Sequence, residues 1–298
     1  MGGLLRICTS DLLRLALVLI SALLLCPAAH SAAPDTQADA GYMLDDNVTR
    51  AKADGSNLTD RSYSINLIRP AIFPLDERAR AVLTGSLGGE QFARYHGLNR
   101  FTGAVQGELQ YRGSAEFSSP VFALYAKISA EQYRSDLRDG FRYAAGISLR
   151  QALTDRIRIF GAVTRNQRDG NHAVFDNRDN SARIHLDYSP GNRATVYLGG
   201  EYRRGDIVIS GSPLWSSFNP NAYTPDDAFS GGAIYSYRFD GTTLLTTLGW
   251  NMALGPRNAI DISWKRARSS VEYVTSSWSK STLGYITNLY ALSYLVRF

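Results

Sequence analysis

Long segments of this chain alternate apolar and polar side chains with a period of two. Phe101, Gly103, Val105, Gly107, Leu109 and Tyr111 alternate with Thr102, Gln106, Glu108, Gln110 and Arg112. Ala182, Ile184, Leu186 and Tyr188 alternate with Arg183, His185 and Asp187, and Ile260, Ile262 and Trp264 alternate with Asp261, Ser263 and Lys265. A helix would show a period near 3.6, so these are strands. Many of the alternating segments run well past the roughly 5–6 residues usual in soluble sheets, and a tilted strand needs about 9–11 residues to cross hydrocarbon. A bilayer admits only helices and closed barrels, because every backbone polar group must be satisfied internally. The expected fold is therefore all-β, a transmembrane antiparallel barrel.

The carboxy-terminal segment NLYALSYLVRF puts Tyr290, Leu292, Tyr294, Val296 and Phe298 on one face. As the edge of a soluble sheet it would be an unprotected template for aggregation. In a barrel it closes against the first strand. A strand ending on a terminal phenylalanine resembles the signal read by the outer-membrane barrel assembly machinery, which implies that machinery and the outer-membrane lipids as partners through Phe298.

Strands are expected near residues 39–51, 60–73, 77–95, 100–113, 119–134, 141–152, 156–168, 179–189, 193–208, 233–254, 258–273 and 281–298. Twelve is an even number, as a single-chain barrel with both termini in the periplasm requires. The segment 233–254 has a second reading, because Asp240-Gly241 is also a type I′ hairpin signal and would lead to fourteen strands. Counting back from an inward-running last strand places the short turns PLDE, ALTDR, YSPGNR and ALGPRN in the periplasm and the long 209–232 connection outside. Gly241 is accordingly read as a bulge or bend in one long strand.

Residues 1–31 read as an export signal. Arg6 and Arg14 precede the apolar run Leu15–Leu25, and Ala29-His30-Ser31 places small residues for cleavage before Ala32. The mature barrel would be residues 32–298. Cys8 and Cys26, the two cysteines of the chain, both lie in that leader, so no disulfide framework or cysteine metal site is expected. Removing the leader's two arginines and one aspartate lowers the formal charge from +5 to +4. The remaining basic residues are scattered, which argues against nucleic-acid binding. The oxygen-rich clusters Asp45-Asp46-Asn47 and Asp169 with Asp176–Asn180 are expected to be polar loops, with neither a metal nor a cofactor.

With the apolar faces turned to lipid, the interior receives Arg80, Glu108, Arg112, Lys127, Arg142, Arg150, Arg158, Arg183, His185, Asp187, Glu201, Arg203, Asp261, Lys265 and Arg297, with Glu90 and Glu131. Charges cannot sit unpaired in an apolar medium. Either water fills the lumen, where the arginine majority would favour anionic solutes, or arginine–carboxylate pairs cross and fill it. Trp215, Phe218 and Tyr223 lie in the proline-punctuated 209–232 connection and are expected to narrow the lumen. His185, Asp187 and Ser189 share one strand face and invite comparison with outer-membrane phospholipases, but that family's serine–glycine arrangement has no counterpart here and no enzyme is expected.

The segments GYMLDDNVTRA and YSYRFDGTTLLTTLGWNMALGPRNAIDISWKRA, followed by YLVRF, resemble a broad, largely uncharacterised group of proteobacterial outer-membrane barrels. To a lesser degree they resemble the barrel domain of surface lipoprotein assembly modifiers, a family that places helical repeats before a fourteen-strand barrel; no such repeats are read in this sequence. The functional expectation is a porin-like barrel passing small, anionic solutes. The alternative is a non-conducting structural or export-accessory barrel of the envelope.

Overall fold

In a computed structural model, residues 36–52, 57–212, 220–229, 234–271 and 284–298 are described. The export signal and both Trp215 and Phe218 lie outside these residues. Thirteen strands form one antiparallel sheet: β1 Gln37–Asp45, β2 Asp60–Pro74, β3 Ala79–Phe92, β4 Arg100–Arg112, β5 Val121–Tyr133, β6 Gly140–Ala152 and β7 Ile157–Gly170, then β8 Asn177–Tyr188, β9 Ala194–Gly211, β10 Ala222–Pro225, β11 Tyr235–Ala253, β12 Asn258–Val271 and β13 Tyr285–Arg297. Twelve close the barrel, since β1 pairs with both β2 and β13 and β9 pairs directly with β11. The terminal residue takes part in closure: Thr36 and Phe298 exchange both main-chain hydrogen bonds at 2.9 Å. Among the described residues, the twelve-strand cylinder closes without an open edge.

The alternation read from sequence is the alternation of the walls. Leu109, Val163, Ile184, Leu198, Leu248 and Ile262 are exposed on the outer surface. Tyr188, Trp250, Tyr290 and Tyr294 share that surface, as amphipathic rings at a membrane interface do. An apolar exterior on a closed barrel of strands this long belongs in the outer membrane.

Turns at the end that carries the termini are tight. Leu75, Leu153 and Leu254 each donate a main-chain bond to the residue four ahead, Ala79, Ile157 and Asn258. At the first, Asp76 Oδ1 accepts the N–H groups of Arg78 and Ala79, the local side-chain bonding that makes aspartate a turn former.

Two expectations are corrected. The first strand stops at Asp45 rather than continuing to Ala51. Asn47 terminates it by donating to Ala51 O and accepting from Thr49 Oγ1 and Ala51 N, and Arg50 adopts a φ of 55°. The strand at 235–253 is neither a hairpin nor bulged. Its register to β9 runs unbroken from Tyr235↔Gly211 through Gly241↔Gly205 to Met252↔Ala194, which removes the fourteen-strand alternative.

Candidate functional site: the inner wall and the outer mouth

Opposite the lipid-facing residues, the inner wall carries a set of charged side chains, and its ion pairs form within one strand or between nearby strands. Glu131 accepts from Arg142 at 3.2 Å and from Arg168 at 3.0 Å. Arg203 binds Glu201 two residues away at 2.6 Å, although Arg183 is the direct cross-strand neighbour of Glu201. Arg100 binds Glu90 at 2.7 Å. Arg80 donates to Gln110, which donates to Glu108, both at 2.6 Å. These pairs hug the wall instead of crossing the lumen.

Arg150 and Arg183 approach the Phe160 ring at 5.9 and 5.2 Å, and neither forms an ion pair with a carboxylate among the described residues. Arg158 stands across from Asp187, whose carboxylate is taken by His185 at 2.8 Å. Lys127 lies between Gln106 and Ala144, and Lys265 between Thr247 and Leu289. Asp261 accepts from Tyr197 Oη at 2.9 Å. Arg112 ends β4 at the tight-turn end, and Arg297 lies there too, paired in register with Gln37 at the closure.

His185 stacks on Tyr197, centroids 5.3 Å apart, and Ser189 instead hydrogen-bonds Thr195 at 3.1 Å. The histidine and serine are therefore not coupled as nucleophile and base, which would require hydrogen-bond reach. Tyr125 and Tyr133 are also engaged in the wall, by Thr164 at 2.5 Å and under Arg100 and Arg168.

At the outer end, opposite the termini, the wall changes character. Pairing of β8 to β9 ends at Asp179↔Gly205, and Val271↔Gly241 is the outermost described pair of β12 with β11. Above these two facing glycines, β9 and β11 continue paired to Gly211↔Tyr235. There β10 pairs with β11 over Tyr235–Arg238, on the edge opposite β9. Gly205 has a φ of +152°, and a Cβ on it would stand 2.0 Å from Arg178 O, so only glycine fits the bend.

The resulting three-stranded flap touches the loops of four hairpins. Ser210 N donates to Thr49 O at 2.8 Å, and Arg238 Nη1 donates to Asp176 O at 3.0 Å. Ser135 Oγ donates to Asp227, and Arg138 donates to Asp226. Ala228 and Phe229 bury against Leu98, with Tyr95 edge-on to Phe229 at 5.4 Å. Arg138 lies between Phe175 and Phe229, 4.3 and 5.7 Å from their centroids. The wholly buried Asp226 also accepts from Ser236 at 2.5 Å.

The flap's other face packs Ile207, Ile209, Tyr237 and Phe239 against Val271. Tyr223, in β10, stacks on Tyr237 at 6.3 Å and is 54% exposed. At the end of β1, Asp45 pairs with Arg50 of the β1–β2 loop at 2.7 Å, and Asp46 accepts a hydrogen bond from Asn288 Nδ2. Burial opposes the charge on Arg50, and Asp45 more than offsets it, so the guanidinium pKa lies above its ordinary value.

Sequence reasoning missed Arg100 and Arg168, which lie at strand ends, and the whole Arg138–Asp226–Phe229 dock. In sequence the dock is a polar loop reading PDDAF, and a buried aspartate in such a loop has the same signature as a solvated one.

No known family and no curated protein matches the sequence. Solved structures do resemble the fold. An outer membrane channel from Pseudomonas putida F1 superposes with a TM-score of 0.52 at 12% identity, covering 92% of this chain and 100% of that one. The KdgM porin gives 0.45 at 9% identity over 88% and 99% of the two chains, and the NanC porin 0.45 at 10% over 88% and 100%. The likeness to the Pseudomonas putida channel shows the fold, that of an outer-membrane β-barrel.

Proposed function

We propose that this protein is a porin-like outer-membrane channel for small, anionic solutes, and that the β9–β10–β11 flap is its outer gate. The observation that supports it is Phe160 flanked by Arg150 and Arg183, cations that no carboxylate among the described residues pairs, on an inner wall whose other described ion pairs leave the lumen uncrossed. A positively lined passage concentrates anions by its local field. The gate reading rests on the docked flap, which contacts loops around most of the mouth.

The flap also favours a second reading, a barrel held shut that serves the envelope structurally. Planar-bilayer recordings of the refolded protein under a salt gradient separate the two. Unitary steps with a reversal potential on the anion side support the channel. A folded barrel that gives no steps, even with the flap residues 212–229 removed, supports the structural role.

A further inference from the structure

Phe160 stands on the inner wall with an arginine reaching its ring from the strand on either side. Arg150 is its direct partner on β6. Arg183 lies on β8, at the next inward position toward the outer mouth from the other direct partner, His185. The Cζ atoms of the two arginines are 5.9 and 5.2 Å from the ring centroid, so their separation cannot exceed the sum of those two distances. Both arginines are exposed, and at inward positions that exposure is to the lumen. Ser148 and Ala162, the next inward residues on β6 and β7 toward the outer mouth, are small and leave the approach to the ring open on that side.

The carboxylates that could neutralise this pair are engaged elsewhere. Arg183 faces Glu201 in register, but Glu201 is held by Arg203 at 2.6 Å. Asp187 is held by His185 at 2.8 Å, and Asp261 by Tyr197 at 2.9 Å. Arg150 has Val121 and Phe160 as its cross-strand neighbours, neither of them acidic. Stacking on a ring uses the flat face of a guanidinium and leaves the N–H groups along its edge to donate to something else.

Resting on the anion-channel reading, we infer that this bracket is a binding site for dicarboxylates whose two carboxylates are joined by a short apolar spacer. One carboxylate takes the edge of Arg150 and the other that of Arg183, and the spacer lies against Phe160 between them. The planar guanidinium fork matches a carboxylate in bidentate geometry, and the ring gives the spacer an apolar contact in place of water. A monocarboxylate satisfies one arginine only, and a compact dianion such as sulfate has nothing to lay on the ring. With Arg150 third from the end of β6 and Phe160 fourth in β7, the bracket sits toward the tight-turn end of the barrel, opposite the flap.

The test is isothermal titration calorimetry of the refolded protein in detergent micelles at fixed ionic strength, with adipate, hexanoate and sulfate as separate titrants. We expect one adipate per barrel, bound about tenfold or more tighter than hexanoate or sulfate. R183Q should lower adipate affinity about tenfold or more, to that of hexanoate, and leave hexanoate itself within about twofold, because Arg150 remains to hold one carboxylate. R150Q should do the same through Arg183. Equal affinities for adipate and hexanoate, or adipate binding unchanged in a heat-modifiable R183Q or R150Q barrel, overturns the inference. So does an equal loss in R112Q, which removes a lumen charge on β4 outside the bracket, since a diffuse field would then hold the solute. The titration does not depend on conduction: adipate bound by a barrel that gives no unitary steps supports the site and sinks the channel, whereas unitary steps without adipate binding sink the site alone.

Discussion

The ring of Tyr197 lies over Gly249, its direct partner on β11. A Cβ built on that glycine would stand 2.1 Å from the tyrosine Cζ. The absent side chain lets Tyr197 cross a whole strand and donate to Asp261 on β12. Tyr125 repeats the arrangement, passing over its partner Gly146 on β6 to reach Thr164 on β7. Each glycine makes room for a brace between next-but-one strands. Gly249→Ala should therefore cost about 1–3 kcal/mol through overpacking, read as a lower urea midpoint for loss of the heat-modifiable band. Tyr197→Phe keeps the packing and loses a hydrogen bond to a charged acceptor, about 1.5–3 kcal/mol. A midpoint unmoved in both variants would remove the brace from the account.

Glu131 is nearly buried and holds two arginines at once, Arg142 and Arg168. Removing one member of a buried ion cluster leaves the others uncompensated, at about 3–5 kcal/mol. That figure is an upper bound here, because Arg142 is 45% exposed on its side chain and solvent screens it. Glu131→Gln should fold with reduced stability and, with two guanidinium groups released toward the lumen, raise the anion-to-cation permeability ratio in a salt-gradient recording. A fall in that ratio would contradict the proposed solute class.

The barrel was legible in sequence because its lipid-facing wall imposes one chemical rule on every second residue. Ile184, Leu248 and Ile262 can be assigned to lipid without any knowledge of their neighbours. The parity of the inner charges follows from the same rule, whereas the continuity of β11 through Asp240-Gly241 follows only from the placement of the short turns, because the apolar phase changes there from Tyr235, Tyr237 and Phe239 to Leu244, Leu248 and Trp250. Partner choice was not legible. Arg183 faces Glu201 in register, yet Glu201 bonds Arg203 on its own strand, a choice made by rotamers and not by spacing. The flap dock was invisible for a different reason: Asp226, Arg138 and Ser135 sit in loops, which carry no period, and their burial arises only when the hairpin leaves the cylinder.

That departure depends on Gly205. Its φ of +152° is a region that other residues occupy only at a cost of about 1–3 kcal/mol, and a side chain there would also run into Arg178 O. Gly205→Val should leave the transmembrane barrel folded while displacing the flap from its dock. Limited proteolysis of intact, reconstituted protein is the check: new cleavage within 206–229 is expected, with the barrel fragment still heat-modifiable. Continued protection of the flap would mean that the bend tolerates a side chain.

Arg138 is the keystone of that dock, because it bonds Asp226 while its guanidinium is stacked between Phe175 and Phe229. Asp226 is wholly buried and takes further hydrogen bonds from Ser236 and from Ala228 N. Arg138→Ala leaves that carboxylate buried without its cation, which disfavours the docked position far more than the barrel beneath it. If the flap is a gate, single-channel recordings of this variant should show a larger fraction of time open than the parent protein at the same voltage. The converse variant joins Ser135→Cys to Asp227→Cys, at residues already in hydrogen-bond contact across the dock. Oxidised, it should hold the flap down and suppress unitary steps, and a reducing agent added to the flap side should restore them. Steps of unchanged size and open time in the oxidised double cysteine, with the crosslink verified by mass, would show that solutes do not pass beneath the flap and would remove gating from the proposed function.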